Sequence, residues 1–261
     1  MTRVWPGGTS PFKGFLAGKR RALVLLDFDG TLAPLVSRPS AARLRPAVRH
    51  MLHRLNSHPR LVVAVLSGRS IKDVEKRVGV PSLYYGGNHG LEVKGPGIHF
   101  QHPGAFLHGP ALRETARIAH LIFQGVPGVE VEPKGFSLSI HYRRVPQRSL
   151  SVFRQRLKEL RDSARVPLKW RCGRCVWECL PVVPWDKGRA AKLLARHVGA
   201  GSLLAVGDDV TDEDMFRAVK KRGLSMRVAP RGPTCADYVL ASEADVPILL
   251  NQILAAVKGQ P

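Results

Sequence analysis

The chain has 261 residues, of which 44% are hydrophobic and 23% charged, a composition typical of a globular protein with one substantial core and room for a smaller one. No apolar stretch approaches the roughly 18 residues that cross a membrane, and the first residues lack the apolar centre of a secretory signal. We therefore expect a cytoplasmic location and no membrane partner.

The formal net charge is +21, from 41 basic and 20 acidic side chains, which raises the hypothesis of a nucleic-acid-binding protein. The basic excess is spread along the chain, with no long basic run and no basic motif interleaved with aromatic residues that could stack on bases. A generally cationic surface that favours anionic substrates is the preferred interpretation. No nucleic acid is expected as a partner, and the sequence does not indicate an oligomeric state.

The first predicted strand is the apolar run ALVLLDFDG, residues 22–30, which ends in two acids. A strand period of two would point Asp27 and Asp29 to one side and Phe28 to the other. Two neighbouring carboxylates repel each other unless a cation or a shared proton intervenes. Turn formation after a strand explains one acid and Gly30, but not two acids on one side.

Two further apolar runs, LVVAVLSGR (61–69) and SLLAVGDD (202–209), also end in polar clusters, and helical patterns begin at Arg45, Ile71 and Gly188. Alternating strands and helices predict an α/β fold with a parallel sheet covered by helices, which binds ligands beyond the carboxyl ends of its strands. After the second run, Ser67 and Gly68 offer a hydroxyl and backbone amides, and Ser70 is a predicted helix N-cap.

The middle of the chain has a different pattern. Residues 129–145 alternate like half-exposed strands around a turn at Pro133, Lys134 and Gly135, residues 149–162 form an amphipathic helical pattern, and short strands follow around 168–180. We expect an α+β cap domain at 100–183. It would interrupt a core made of residues 20–99 and 184–261, with residues 1–19 as an N-terminal extension.

Lys187 breaks a rule of helix composition. Asp186 is the predicted N-cap of the helix that runs to His197, so Lys187 falls in the first turn, where a cation opposes the helix dipole by about 0.3 to 1 kcal/mol. An anion beside it, such as a phosphate held by the ammonium and the free backbone amides, would offset this cost. A solvated lysine that tolerates the penalty is the alternative.

The acidic segment GDDVTDEDMF, residues 207–216, divides into two parts. Thr211 is the predicted N-cap of a helix with three acids in its first turn, namely Asp212, Glu213 and Asp214. Asp208 and Asp209 precede that cap and need another explanation. With Asp27 and Asp29 they form an oxygen-rich set of the kind that Mg²⁺ selects.

These motifs resemble a known family. DFDGT, SGR, the isolated Lys187 and GDDxTDED, in this order at strand ends, resemble the four motifs of the haloacid dehalogenase superfamily of phosphatases. NHG with Glu92, VEPKGFSLSIHYR, WDKG and GDDVTDEDMF are similar to the trehalose-6-phosphate phosphatase family, with its cap between the second and third motifs. The resemblance implies a Rossmann-like core, a small α+β cap and Mg²⁺-dependent hydrolysis of a sugar phosphate.

The resemblance also implies roles for residues of the core. Asp27 would be the nucleophile that forms an aspartyl phosphate, and Asp29 the general acid for the leaving sugar oxygen and then the base for water. Mg²⁺ would be held by Asp27, the Asp29 carbonyl and Asp208. The remaining assignments are phosphate binding by Ser67, Gly68 and Lys187, the last also catalytic, and orientation of the metal site or Lys187 by Asp209 and Asp212.

For the sugar, the resemblance implies contacts from Glu132 and Lys134 of the cap and from Asn88 and His89 of the core. Lys134 is also a plausible residue of a hairpin turn. Alternative functions are a sucrose phosphate or mannosyl phosphate phosphatase, a sugar phosphotransferase or mutase, and a basic nucleic-acid-binding protein on the same fold. Trehalose 6-phosphate is the preferred substrate.

The segment CGRCVWEC, residues 172–179, contains a CxxC pair. A structural zinc site needs four ligands, and no second CxxC or close HxxxH follows, so zinc is disfavoured. Cys172 and Cys175 would instead flank a hairpin turn, with Cys175, Trp177 and Cys179 alternating along a strand.

Overall fold

The computed structural model describes residues 3–5, 12, 21–173, 175–230 and 232–258. They form two compact units. The first contains the described parts of Met1–Phe100 and Trp185–Pro261, and the second is Gln101–Pro184. Most of residues 1–19 lie outside the described residues.

The described residues form strands of two sheets. In chain order they are β1 (Arg3–Val4), β2 (Ala22–Leu26), β3 (Leu61–Leu66), β4 (Tyr84–Gly87), β5 (Glu92–Gly95), β6 (Ile98–Gln101), β7 (Glu130–Pro133), β8 (Leu138–His141), β9 (Leu168–Gly173), β10 (Val176–Pro181), β11 (Ser202–Gly207), β12 (Gly223–Val228) and β13 (Tyr238–Leu240).

The helices connect these strands. They are α1 (Pro46–Asn56), α2 (Ile71–Val78), α3 (Pro103–Leu107), α4 (Gly109–Ile122), α5 (Leu150–Asp162), α6 (Lys187–His197), α7 (Glu213–Val219) and α8 (Val246–Lys258). Short 3₁₀ turns lie at Pro39–Ala41, Asn88–Gly90, Gln147–Ser149, Val210–Asp212 and Glu243–Asp245. No helix among the described residues is long and apolar enough to cross a membrane.

The first unit is built on a nine-stranded sheet in the order β1-β13-β12-β11-β2-β3-β4-β5-β6. Each neighbouring pair from β1 through β13, β12, β11, β2 and β3 to β4 is parallel. Strand β5 runs antiparallel to β4. The predicted parallel sheet is therefore confirmed. The antiparallel edge was not predicted. It arises because Asn88, His89 and Gly90 all adopt positive φ and reverse the chain.

The core of the first unit lies on both faces of this sheet. Alternate residues of β2 face opposite ways, with Val24 and Leu26 packed in one apolar cluster and Leu23 and Leu25 in the other. Helices α1 and α8 contribute to the first cluster, and α6 and α7 to the second. Burial on both faces explains why the strands are continuous apolar runs.

The second unit is an antiparallel sheet in the order β7-β8-β10-β9. Side chains of α4 and α5 pack against one face of it, which confirms the predicted α+β pattern. The prediction of half-exposed strands is wrong for β8, where Leu138, Ser139 and Ile140 are buried. The reason is that Leu138 and Ile140 pack in the apolar cluster with α4 and α5, while Ser139 lies on the other face between Glu132 and Glu178.

The turns of the second unit differ in detail from the prediction. Pro133 is the last residue of β7 and does not lie in the turn. The turn begins at Lys134, whose N–H donates to the Ser137 carbonyl. Cys175 lies in the turn between β9 and β10 with φ of +60°, so it is not part of the strand that carries Trp177 and Cys179.

Candidate active site

Three polar residues follow neighbouring strands of the large sheet. Asp27 comes directly after β2, Ser67 after β3 and Asp208 after β11. Because β2 pairs in parallel with both β3 and β11, these strand ends meet at one edge of the sheet. Within the described residues, oxygens of Asp27, Asp208 and Asp212 all lie within 4.8 Å of one another.

Lys187 is the cation at the centre of this cluster. Its Nζ donates hydrogen bonds of 2.7 Å to Asp27 Oδ1 and 2.7 Å to Asp212 Oδ1, and its side chain is only 2% exposed. The alternative of a solvated lysine is therefore wrong. Burial acts to lower the pKa of Lys187, but the Asp212 and Asp27 carboxylates outweigh it and raise this pKa above the ordinary lysine value.

The position of Lys187 depends on the start of α6. The Asp186 carboxylate accepts a hydrogen bond of 2.8 Å from the Arg189 N–H, which confirms the predicted N-cap. The cap places Lys187 in the first turn with its ammonium turned into the unit. The anions that offset its unfavourable place on the helix dipole are the protein's own carboxylates.

Asp212 holds the acidic loop together. Its Oδ2 accepts hydrogen bonds of 3.0 Å each from the N–H groups of Asp208 and Asp209, while Oδ1 accepts from Lys187. The prediction of Thr211 as N-cap is wrong, because Asp209 caps the 3₁₀ turn at Val210–Asp212 in a reciprocal capping box with Asp212. Helix α7 begins one residue after this turn.

The crowding of carboxylates raises the pKa of two of them. Burial raises the pKa of Asp27 well above its ordinary value, with Lys187 acting against it and Asp212 and Asp208 adding to it. Burial also raises the pKa of Asp208 to about 8, and Asp212 and Asp209 add to that shift. One lysine therefore does not neutralise the cluster, which favours a further cation.

The donor set fits Mg²⁺. Asp208 Oδ1 is buried and has no hydrogen-bond partner among the described residues. Gly30, with φ of +80°, packs so closely on Asp208 that a Cβ at position 30 would collide with the carboxylate. An orphaned carboxylate oxygen close to two other carboxylates is the kind of ligand set that Mg²⁺ prefers.

Asp29 has a cation of its own. Arg69 Nε donates to Asp29 Oδ2 and Arg69 Nη2 donates to Asp29 Oδ1, each at 2.7 Å. The period-of-two argument does not reach Asp29, because β2 ends at Leu26 and the chain turns, with the Leu32 and Ala33 N–H groups donating to the Phe28 carbonyl. Asp29 is not among the carboxylates whose oxygens lie within 4.8 Å of one another, and its side chain is 33% exposed.

Arg69 is a residue that the sequence reasoning missed, although it belongs to the SGR motif. Its side chain is 6% exposed, and besides Asp29 it contacts Asp73 Oδ2 at 2.7 Å and the Pro39 carbonyl at 3.0 Å. Ser70 caps α2 as predicted, by accepting a hydrogen bond from the Asp73 N–H. Asp73 is thereby placed to hold Arg69.

The loop after β3 and the turn after β4 are joined by backbone hydrogen bonds. The N–H of Asn88 donates to the Arg69 carbonyl at 2.7 Å, and the N–H of His89 donates to the Ser67 carbonyl at 3.0 Å. Asn88 Nδ2 also donates to Glu92 Oε1 at 2.6 Å. Ser67 and Gly68, expected at the phosphate, and Asn88 and His89, expected at the sugar, thus belong to two hydrogen-bonded loops of the first unit.

The second unit has a polar cluster on its sheet. Lys134 Nζ lies 3.7 Å from Glu132 Oε2 and 3.8 Å from Glu178 Oε1, and His141 Nε2 lies 2.8 Å from Glu132 Oε2. The Lys134 side chain is 7% exposed. Ser139 pairs with both Glu132 and Glu178 across the strands, so these three residues share one face of the sheet.

Glu178 is the second residue that the sequence reasoning missed. It lies between Trp177 and Cys179, which both pack in the apolar cluster of the second unit. The alternation of a glutamate with two core residues along one strand is the pattern that could have indicated it. Glu178 is only 8% exposed, and glutamates are rarely buried to this degree unless they are paired.

Comparison with known proteins identifies the family. A model of the trehalose-phosphatase family matches residues 25–243. The chain belongs to this family. The match extends through both units and includes all the motifs on which the predicted resemblance rests, so that prediction is confirmed.

Two relatives agree with this trehalose-phosphatase assignment. The chain is 40% identical over 216 residues to the trehalose-phosphate phosphatase of Mycobacterium avium (strain 104), covering 78% of this chain and 53% of the relative. It is 35% identical over 257 residues to that of Mycobacterium tuberculosis (strain ATCC 25618 / H37Rv), covering 93% and 63%. The chain thus spans about half to three fifths of the length of these relatives.

The fold is similar to that of a solved trehalose-6-phosphate phosphatase. The C-terminal domain of the C. albicans protein superposes with a TM-score of 0.83 at 24% identity, covering 98% of each chain. This similarity confirms the predicted fold class, an α/β core with a smaller α+β part.

Proposed function

We propose that this chain hydrolyses trehalose 6-phosphate to trehalose and orthophosphate in a Mg²⁺-dependent reaction. The observation that carries the proposal is the cluster of Asp27, Lys187 and Asp208 at the strand ends of a trehalose-phosphatase family member. The relatives named trehalose-phosphate phosphatase support the substrate. The same chemistry on sucrose phosphate or a mannosyl phosphate is the alternative.

In the first step, a carboxylate oxygen of Asp27 attacks the phosphorus and the bond from phosphorus to the sugar oxygen breaks. Asp29, which must first take up a proton and release at least one hydrogen bond from Arg69, gives that proton to the leaving sugar oxygen, which departs as the free hydroxyl. The product on the enzyme is an aspartyl phosphate on Asp27. A carboxylate nucleophile divides a difficult hydrolysis into two easier displacements.

In the second step, a water oxygen attacks the phosphorus of the aspartyl phosphate. Asp29 takes a proton from that water, the bond from phosphorus to Asp27 breaks, and orthophosphate leaves. Asp29 is then protonated again for the next turnover. Ser67, the Gly68 amide and Lys187 hold the phosphate oxygens in both steps, and the ammonium offsets their charge.

The acidic loop completes the proposed machinery. Asp27, Asp208 and the Asp29 carbonyl would hold Mg²⁺, which when bound offsets the repulsion between the carboxylates and the phosphate. Both carboxylate oxygens of Asp212 already accept hydrogen bonds, from Lys187 and from two backbone N–H groups, so Asp212 orients the cluster. Asp209 caps the turn that carries Asp212.

For the sugar, the proposal assigns the polar cluster of the second unit. Glu132, Lys134 and Glu178 offer charged groups that suit the hydroxyls of a disaccharide, and Asn88 and His89 supply further contacts from the first unit. The pairing of Lys134 with two glutamates fixes its position before substrate arrives. A cluster with several donors and acceptors favours a sugar larger than one ring.

The test is phosphate release from trehalose 6-phosphate, sucrose 6-phosphate, a mannosyl phosphate and glucose 6-phosphate, with Mg²⁺ or with EDTA. Trehalose 6-phosphate should react fastest, and only with Mg²⁺. Asp27→Asn should lose at least about 10³-fold in kcat, because it removes the nucleophile. Asp29→Asn should also lose kcat, whereas the exposed Asp162→Asn on α5 should retain full activity.

Each alternative has its own outcome. Full activity of Asp27→Asn contradicts the nucleophile, and equal rates on trehalose 6-phosphate and glucose 6-phosphate contradict disaccharide specificity. Transfer of the phosphoryl group to a second sugar in place of water indicates a phosphotransferase or mutase. Salt-dependent nucleic-acid binding without phosphate release from any substrate indicates a binding protein on this fold.

A further inference from the structure

A groove of about 430 Å³ lies between α6 and α7 in the first unit. Its charged lining consists mainly of Arg189, Lys192 and Arg196 from α6 and Arg217 from α7. None of these side chains takes part in the proposed hydrolysis. The groove is therefore a feature of the fold that the catalytic proposal leaves without a role.

The three cations of α6 share one face of the helix, because positions i, i+3 and i+7 lie above one another. In the described parts of the chain, no carboxylate forms an ion pair with Arg189, Lys192 or Arg196. The two acids that line the groove are already engaged. Asp214 pairs with Arg217, and the Asp186 carboxylate accepts the Arg189 N–H as helix cap.

The walls of the groove are held in place by close packing. A Cβ at Gly188 would collide with the Asp214 carbonyl, so the backbones of α6 and α7 touch there. Trp185 lines the groove with an indole N–H that donates to the Gly90 carbonyl at 2.7 Å, and its ring stacks on Phe100 at 4.9 Å. The cations thus project from a fixed concave surface.

We propose that this groove binds a compact polyphosphate, the chemistry that inorganic triphosphate shares with the triphosphate of a nucleotide. Several unneutralised cations in one concavity repel one another, and a single multiply charged anion offsets all of them at once. Arginine guanidinium groups match phosphate oxygens in pairs. The volume falls within the usual range of small-molecule sites, which favours a compact anion over a long polymer.

The test is isothermal titration calorimetry of the protein with sodium triphosphate and with ATP at about 0.1 M salt. The wild type should bind one triphosphate per chain in this groove. The double variant R196A/R217A should bind at least tenfold more weakly. The matched control R154A/K158A on the exposed face of α5 loses the same charge and should bind like the wild type.

Two further measurements keep the result interpretable. Lys192→Gln alone should give a smaller loss of affinity, which covers the case in which the double variant fails to fold. R196A/R217A should release phosphate from trehalose 6-phosphate at the wild-type rate, so loss of polyphosphate binding is separable from loss of catalysis.

Equal affinity for triphosphate and ATP assigns the site to the phosphate chain, and tighter binding of ATP adds a contribution from the nucleoside; both support the proposal. Unchanged binding by R196A/R217A, or an equal loss in R154A/K158A, overturns it. Affinity that rises with the length of a single-stranded oligonucleotide and exceeds that for triphosphate also overturns it, in favour of a nucleic-acid surface.

Discussion

Arg69 binds both carboxylate oxygens of Asp29, at 2.7 Å from Nε and 2.7 Å from Nη2. Asp73 and the Pro39 carbonyl fix the guanidinium in turn. The orientation of the proposed acid and base is therefore set by a residue that follows the neighbouring strand. To reach a leaving oxygen, Asp29 must exchange at least one of these hydrogen bonds.

Arg69→Lys should lower kcat by about 10- to 100-fold with a smaller change in KM, because a lysine cannot hold both carboxylate oxygens in one plane. Steady-state kinetics on trehalose 6-phosphate would measure this split. Arg77→Lys is the matched control, since Arg77 contacts Asp73 at 2.7 Å and shares that partner with Arg69. Equal kinetic effects of the two substitutions would show that Arg69 does not position Asp29.

Gly30→Ala should impair both stability and activity. Residue 30 has φ of +80°, and a Cβ there would collide with the Asp208 carboxylate. We expect a loss of about 1 to 3 kcal/mol in the free energy of unfolding, together with a lower apparent affinity for Mg²⁺. Gly199→Ala isolates the backbone effect, because Gly199 has φ of +63° but its Cβ would meet open space. If Gly199→Ala matches Gly30→Ala in every measurement, crowding of Asp208 is not the cause.

Asp208 should make metal-free stability depend on pH. Its pKa is raised to about 8 in the folded state, whereas the pKa of an unfolded aspartate is about 3.9. Between these values the folded state binds the proton more tightly, so the free energy of unfolding falls as pH rises towards 8. In EDTA, Asp208→Asn should therefore gain stability over the wild type as pH rises from about 5 to 8.

Mg²⁺ should reverse that ranking. Thermal denaturation with Mg²⁺ should raise the midpoint of the wild type by several degrees and leave Asp208→Asn nearly unchanged, because binding to the folded state alone stabilises it. The exposed Asp162→Asn should respond to Mg²⁺ like the wild type. A full Mg²⁺ response in Asp208→Asn would exclude this carboxylate as a ligand.

Glu178→Gln should raise KM for trehalose 6-phosphate by about tenfold with a smaller effect on kcat, because it weakens one charge-assisted contact to the sugar. Its carboxylate lies 3.8 Å from Lys134 Nζ. Glu130→Gln serves as the control, since Glu130 lies on the same sheet opposite His141, one pair further along the same face. Comparable KM values for the two variants would remove Glu178 from the sugar site.

Local patterns in the sequence were sufficient for the secondary structure around the site. The apolar runs that became β2, β3 and β11 were evident because strands buried on both faces carry few polar residues. The caps Asp186 and Ser70 were evident because capping is a contact between residues three apart. The same reasoning failed at Thr211, because Asp209 caps the turn at Val210–Asp212 in its place, through a capping box with the buried Asp212 carboxylate.

The sequence by itself determined which chemical groups this protein has and which of them follow strands. Only the tertiary structure decided which of these groups pair. Lys187 donates to Asp27, which is 160 residues away in the sequence, Arg69 donates to Asp29, and Glu178 lies beside Lys134. The physical reason is that these contacts depend on the order of strands in a sheet and on where each strand ends. A strand period of two could not fix the direction of Asp29, because β2 ends at Leu26 and a turn follows the strand there.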